Sequence, residues 1–309
     1  MSTYSFEMYP PRTAASELEL YETLGHLVAA DPEFISVTYG ASGSSREASL
    51  GVLRHLMTTA VHPMAHLTCV GWTYSDASRV IREFLEAGVT SFLAVRGDPP
   101  VGSVEGQDFL GDLRSAGELV QLIHLVQEER EPYSQLDVRG FPGAKRISRG
   151  EKVTIAVAAF PNGHPRSRSI QQDLDTLLAK QAAGANLAIT QLFFHAEEYL
   201  SFVDLARSAG VTMRILPGIM PVVSPARLYR MIELMEEKMP QGLLARLVAA
   251  ETPEHQYAVG IDHATVLGNE LLAGGAPGLH LYTYNKHEAV IDVLDAVGIR
   301  KNTPTKEHA

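Results

Sequence analysis

The sequence predicts a TIM barrel, a closed ring of eight parallel strands each followed by a helix. Three observations carry this. Eight short apolar runs recur along the 309 residues, each stopping at a polar group able to do chemistry or bind a ligand. Segments with helical spacing lie between them. The connections are short. Strand and helix alternating in this way predict parallel strands with crossover helices, and eight repeats suit a closed (β/α)8 barrel better than an open sheet. A length of 309 would suggest about two domains at roughly 150 residues each, but α/β barrels reach this size as one. The reading is a single catalytic barrel over residues 1–309.

The elements follow in order. Ser5-Phe6 stops at Glu7. Segment 14–30 then places Leu18, Leu20, Tyr21, Leu24, Leu27 and Val28 on one helical face. The run 34–37 stops at Thr38-Tyr39-Gly40, ahead of a helical segment at 45–59. Met64-Ala65 leads into His66, ahead of 76–87. The run 92–95 stops at Arg96-Gly97-Asp98, ahead of 115–129. The run 155–160 stops at Asn162-Gly163-His164, ahead of 168–183. The run 187–189 stops at Thr190-Gln191, ahead of 196–208. Ile215-Leu216 stops at Pro217-Gly218, ahead of 224–237. Helical spacing at 253–273 precedes the run 279–282, which stops at Thr283-Tyr284-Asn285 ahead of 286–297. Two stretches break the rhythm. Residues 130–152 are polar and rich in Arg, Gly and Pro, and read as a surface loop or subunit contact opposite the active face. Residues 240–250 add a short extra helix with Leu243, Leu244, Leu247 and Val248. The polar tail 301–309 is expected to fray.

Composition narrows the class. Hydrophobic residues make up 45% and charged residues 20%, as in an ordinary soluble enzyme. A net charge of −10 argues against nucleic acid or an acidic membrane surface as partner. The single cysteine, Cys69, excludes an internal disulfide and a multi-cysteine zinc site, and fits a reducing compartment. No run reaches the roughly 18 apolar residues of a membrane span. Residues 1–11 have neither the basic region nor the apolar core of a secretory signal. A cytoplasmic protein is expected, and a homo-oligomer is left open.

In such a barrel, function sits where strands end. Glu7 lies between Phe6 and Met8. Lost solvation should raise its pKa, which suits a general acid near neutral pH. A solvated glutamate capping the first helix is the plain alternative. In Arg96-Gly97-Asp98-Pro99-Pro100, Asp98 can pair locally with Arg96 or stabilise positive charge on a substrate. The glycines of 38–43 allow close approach of a phosphate or ring, but the segment is not G-x-G-x-x-G. His66 and His164 end two runs. Without His-x-His, and with no Asp or Glu gathered near the histidines, a metal site is not expected. Gln191 offers an amide for two-point contact with a heterocycle.

Together these residues resemble the methylenetetrahydrofolate reductase family. The likeness runs from about Tyr4 to Ala296. It rests on Ser5-Phe6-Glu7 with Pro10-Pro11-Arg12-Thr13, on 34–41, on His66-Leu67-Thr68-Cys69 and on Arg96-Gly97-Asp98. Phe160-Pro161 with His164-Pro165, Ala183-Gly184-Ala185-Asn186, Ala188-Ile189-Thr190-Gln191 and Pro217-Gly218-Ile219-Met220-Pro221 complete it. The resemblance implies a (β/α)8 barrel that reduces 5,10-methylenetetrahydrofolate to 5-methyltetrahydrofolate with NADH or NADPH, usually through FAD. That places it in one-carbon metabolism and methionine biosynthesis. It implies Glu7 as the general acid at folate N10 and Asp98 beside pterin and flavin. It implies Gln191, with Thr38, Arg227 and Lys286, on the folate side. Thr38, Tyr39, Ala41, His66, Arg96, Gly97, Asp98, His164, Asp173 and Lys180 match flavin-contacting positions. Ser115, Phe160, Thr176 and Ala179 depart from the family's flavin site. Arg227, Met231 and Lys286 depart on the substrate side, where glutamine, phenylalanine and arginine are expected. Two versions of the chemistry follow: hydride relayed by FAD, or passed directly from NAD(P)H. The rivals are a non-redox folate-dependent barrel enzyme and a non-catalytic ligand-binding subunit.

Overall fold

Alternation along the strands sorts side chains between two layers. In β1 (Thr3–Met8), Tyr4, Phe6 and Met8 join the large apolar core under the helices. Ser5 and Glu7 take the opposite face, as period-two geometry requires. The same sorting places Phe34, Met64, Leu93, Ala156, Leu187, Ile189 and Leu216 in a separate apolar cluster that fills the inside of a ring. The computed structural model describes residues 2–11, 13–38, 46–99, 108–130, 134–137, 145–148 and 152–300.

The elements after β1 run α1 (Ala14–Ala29), β2 (Phe34–Val37), α2 (Arg46–Met57), β3 (His62–Thr68), α3 (Tyr74–Glu86), β4 (Ser91–Val95) and α4 (Ala116–Arg130). Next come β5 (Ser134–Asp137), β6 (Lys145–Ser148), β7 (Thr154–Ala159), α5 (Ile170–Ala182), β8 (Leu187–Thr190) and α6 (Ala196–Ala209). The chain ends through β9 (Arg214–Leu216), β10 (Gly218–Ile219), α7 (Pro225–Met235), α8 (Gln241–Ala249), α9 (Pro253–Ala273), β11 (Gly278–Tyr282) and α10 (Glu288–Val297). The helices start where the sequence supplies caps: Thr73, Ser169, Ser224 and Thr252 each accept a backbone N–H of the first turn, a bond worth about 1 kcal/mol.

The parallel sheet runs β10-β11-β1-β2-β3-β4-β7-β8-β9. Only Pro217 separates β9 from β10, so these two segments are one interrupted strand and the ring closes at eight positions. Proline has no N–H to give the ladder, yet its carbonyl still accepts from His280 N–H at 2.9 Å. The expected barrel is therefore present. Its seam joins the first and last strands, with Ser5 opposite His280 and Glu7 opposite Tyr282. Gly278 permits that approach, because a Cβ there would stand 2.3 Å from the Thr3 carbonyl oxygen. At the base, Arg214 forms a two-point pair with Glu33 at 2.7 and 2.8 Å.

The stretch 130–152, expected as a loop, contains the antiparallel pair β5–β6. The extra helix expected over 240–250 is α8. Tyr39, Ala41 and the tail 301–309 lie outside the described residues. No helix among those described is long and apolar enough to cross a membrane.

Candidate active site

Glu7 sits within β1, one residue before its end, and His66 sits within β3. Both were expected just past their strands. The ladders continue past them, pairing Glu7 with Ser36 and His66 with Leu93, so both side chains are held on the barrel's inner face. The Glu7 carboxylate oxygen Oε2 lies 3.5 Å from His66 Nε2 and 3.8 Å from His280 Nε2. This overturns the expectation that no acidic group gathers near the histidines. His280 is fully buried. Its Nδ1 is 2.8 Å from Ser5 Oγ, and Phe34 stacks on its ring at 5.8 Å.

The expected rise of the Glu7 pKa is also overturned. Burial does push it up, but the nearby imidazoles of His66 and His280 together outweigh that, and the net shift is downward. Phe6 and Met8 are neighbours in sequence only, because they face the other layer. His66 is pushed down by burial and by repulsion from His280, against the pull of Glu7. Tyr282, half-buried beside them, is pushed far up by lost solvation and then by Glu7. Its hydroxyl donates to Thr190 O at 2.9 Å.

A second group of charges lies where β4, β7 and α5 meet. Asp98 is largely exposed and pairs with Arg166 at 3.5 Å, not with Arg96. The Arg96 guanidinium instead lies over the Phe109 ring at 5.7 Å. Gly97 is in the left-handed region at φ 83° and turns the chain between them. Asp173 accepts from His164 N–H at 3.1 Å and from Ser167 Oγ. Phe160 meets the His164 ring edge-on at 4.7 Å. Lys180 donates to the Ala158 carbonyl at 2.8 Å, and burial brings its pKa down to about 8, with Asp173 opposing and Arg96 assisting.

The Lys180 shift has a measurable consequence. Between pH 8 and 10.5 the unfolded chain holds a proton on this lysine that the folded chain has released, so stability rises with pH in that window. Lys180→Met lacks the effect. The stability of the wild type relative to that variant should increase by about 2 kcal/mol from pH 7.5 to 9.5, at ~1.4 kcal/mol per pH unit. Urea denaturation at both pH values measures it, and a flat difference would refute the burial argument.

The rim beside β11 forms a third group. Tyr284 and Asn285 both have positive φ, 53° and 56°, a strained conformation for residues other than glycine. Asn285 holds the turn by accepting from Tyr9 N–H at 3.0 Å and donating to Tyr9 O at 2.8 Å. Thr283 Oγ1 donates to Glu7 O at 2.7 Å. The turn presents the Tyr284 ring to Arg227 at 5.0 Å, and its hydroxyl reaches the Met231 sulfur at 3.0 Å. Lys286 is exposed. The Gln191 side-chain oxygen accepts from Leu192 N–H at 3.0 Å. None of the bonds of Gln191, Arg227 or Lys286 reaches Glu7 or the Asp173 group.

Sequence reasoning missed His280 and Ser5. The available signal was parity: Ser5 and Glu7, like His280 and Tyr282, stand two apart in strands whose intervening residues are apolar. The buried atoms Thr38 Oγ1, His66 Nε2, Arg96 Nη2 and His280 Nε2 have no hydrogen-bond partner. All four belong to residues at or near the C-terminal ends of strands. Buried polar atoms left unpaired cost free energy, and a polar ligand at the strand ends would supply partners for these four; Arg214, His263, Thr265, His287 and Arg300 also carry such atoms. Among the described residues no group of His, Cys, Asp and Glu is arranged to hold a metal ion.

The family model for methylenetetrahydrofolate reductase matches residues 1–298. The 5,10-methylenetetrahydrofolate reductase of Salmonella typhimurium is 30% identical over 96% of this chain and 90% of its own. Methylenetetrahydrofolate reductase (NADH) 1 of Arabidopsis thaliana is 31% identical over 96% of this chain, which spans 48% of that longer protein. Among solved structures, an uncharacterized protein from Clostridium thermocellum that binds two copies of 5-methyl-5,6,7,8-tetrahydrofolic acid shares the fold. Its TM-score is 0.60 at 12% identity, covering 96% of this chain and 93% of that one. With a match along nearly its whole length, the chain belongs to the methylenetetrahydrofolate reductase family, a family of oxidoreductases.

Proposed function

We propose that the protein reduces 5,10-methylenetetrahydrofolate to 5-methyltetrahydrofolate, with NADH or NADPH as the source of hydride and Glu7 delivering the proton to N10. The observation that carries this is one carboxylate held on the inner face of the barrel, with two imidazole nitrogens, His66 Nε2 and His280 Nε2, aimed at the same oxygen. Protonating N10 breaks its bond to the bridging methylene and leaves a 5-iminium cation. Hydride then adds to that exocyclic carbon. Asp98 carries a negative charge that a cationic ring can take over from Arg166, favouring the iminium by electrostatics. Gln191 presents an amide suited to a pterin edge. Arg227 on the Tyr284 face and the exposed Lys286 supply cations and an aromatic surface for the outer part of the folate.

A flavin fits the residues on one side of the mouth. Thr38 Oγ1, His66 Nε2 and Arg96 Nη2 are buried and unpaired, as donors and acceptors awaiting a flat polar ring would be. Thr38, His66, Arg96, Gly97, His164, Asp173 and Lys180 would hold it, and a bound flavin would supply a relay for hydride. The flavin-free version is favoured by a different observation: both Asp173 oxygens and one Lys180 N–H already make bonds inside the protein, leaving these two fewer bonds to offer a flavin.

The test is consumption of methylenetetrahydrofolate by the purified protein with and without NAD(P)H, alongside its absorbance spectrum without added flavin. Turnover that requires NAD(P)H is the expected result. Turnover that persists without it would transfer the protein to the non-redox folate enzymes. A flavin band at full occupancy would remove the flavin-free version, and its absence from an active preparation would establish that version.

A further inference from the structure

The link between α7 and α8 interrupts the barrel's rhythm, and nothing in the chemistry above uses it. Glu236 ends α7 in the left-handed region at φ 54°, a strained conformation for a residue other than glycine and of the kind found at ligand clamps. Past that turn, Glu236, Glu237 and Lys238 form one wall of a cavity of about 290 Å³. The loop after β7 and the start of α5 form the other, with His164, Arg168, Ile170 and Asp173. The first wall is anchored twice. Leu243 and Leu247 of α8 pack with Met231 and Met235 of α7 in one buried apolar cluster. At the rim, Asn162 Nδ2 donates to Glu237 Oε2 at 3.3 Å and to Glu198 Oε1 at 3.2 Å, and the Lys238 N–H donates to the Glu237 carboxylate. The cavity adjoins the barrel mouth, because His164 and Asp173 line it and His164 lies within the field of Arg96, Arg166 and Asp98.

The volume is at the small end for ligand sites, roughly 300–1,000 Å³, which is room for a nucleoside and not for a whole dinucleotide. Its lining is of three kinds. Arg168 and Lys238 are exposed cations beside the N-terminus of α5, suited to phosphate oxygens. Glu237 is a half-buried carboxylate, held in place yet with lone pairs to spare, and suited to accept from two neighbouring hydroxyls. Ile170 gives an apolar surface for a base. We propose that this cavity holds the adenosine diphosphate half of the nicotinamide hydride donor, with Glu237 on the ribose 2′- and 3′-hydroxyls and Arg168 and Lys238 on the diphosphate. This rests on the reading of the protein as a reductase that takes hydride from a nicotinamide. The consequence is a choice of carrier. NADH offers Glu237 a free 2′-hydroxyl. NADPH brings a phosphate to that position, against Glu237 with Glu236 beside it, and like charges so placed discriminate by repulsion. The site therefore selects NADH. FAD carries the same adenosine diphosphate, so the two must be separated by competition. The three residues bind the carrier far from its reacting carbon, so their loss acts on affinity and not on the chemical step.

The experiment is calorimetry with ADP-ribose, which lacks the nicotinamide and cannot react, and with its 2′-phosphate, on wild type, Glu237→Gln and Arg168→Ala. Wild type should bind ADP-ribose at least about 10-fold more tightly than the 2′-phosphate form, since like charges across a contact are costly. Glu237→Gln should weaken ADP-ribose by about 10- to 100-fold, the range for hydrogen bonds to a charged group, and should shrink the difference between the two forms. Arg168→Ala should weaken both forms alike. In turnover, Glu237→Gln should raise KM for NADH with kcat little changed, the pattern for lost uniform binding. Equal binding of the two forms by wild type, or an unchanged affinity of Glu237→Gln for ADP-ribose, overturns the proposal. Displacement of ADP-ribose by FAD at lower concentration than by NADH gives the cavity to the flavin and overturns it too. Should Glu237→Gln fail to fold, Arg168→Ala decides, an unchanged affinity for ADP-ribose counting against the site. ADP-ribose bound as expected by a protein that reduces no methylenetetrahydrofolate would refute the reductase reading instead, and leave the cavity assigned to adenosine diphosphate.

Discussion

Glu7→Gln should lower kcat for methylenetetrahydrofolate reduction by about 10²- to 10⁴-fold, the range for removing a general acid, while folate affinity changes little. The amide keeps the shape of the side chain and removes its ability to pass a proton. Steady-state kinetics with calorimetric binding measures both quantities. A variant within about threefold of wild-type kcat would take Glu7 out of the mechanism. Stability gives a second readout with a definite sign. The folded-state pKa of Glu7 is lowered, by His66 and His280 overcoming burial. The carboxylate therefore contributes stability above its unfolded pKa of roughly 4.3, and that contribution is lost as pH falls through the folded value. The stability difference between wild type and Glu7→Gln should be present at pH 7 and shrink in acid.

Phe6→Ala should cost about 3–5 kcal/mol, the range for emptying a buried aromatic site. Phe6 is fully buried at the centre of β1, with Tyr4 tilted against it at 5.9 Å. The strand is held on both sides by parallel ladders, so the cavity cannot collapse by a local shift. At roughly 2 °C per kcal/mol for a chain of this size, Tm should fall by about 5–10 °C. Residual activity measured well below the new Tm should stay near normal, since Phe6 faces the helix layer while Glu7 faces inward. A Tm within about 2 °C of wild type would show that the site repacks.

The repeat of apolar run and helix made the barrel readable, because parallel strands covered by helices need both periods in alternation. Pro217 was visible as a stop but not as a break within one strand, since its carbonyl bond to His280 depends on the neighbouring strand. Within the site, Glu7 was legible by its motif and its pKa direction was not. The apolar residues beside it in sequence point the other way, and the imidazoles that determine its charge come from β3 and β11. His280 was hidden because a histidine between two leucines reads as strand interior until the ring is closed. Which of the two readings of Asp98 holds was not decided in the sequence for a similar reason: Arg166, from the loop after β7, takes the place that a local pair with Arg96 would have had. Chemistry carried within one segment was legible, and chemistry assembled between strands far apart in the chain was not.

The β1–β11 seam sets a schedule for biosynthesis. Ser5 and His280 are 275 residues apart in the chain, so a ribosome adding about 5–20 residues per second produces one roughly 14–55 s before the other. During that interval Glu7 has emerged but lacks His280, and β1 has β2 to pair with but an open edge on its other side. A nascent chain stopped before β11 should carry every residue of the flavin-side group yet be unable to close around the carboxylate. Activity would then appear only as the last strand leaves the ribosome.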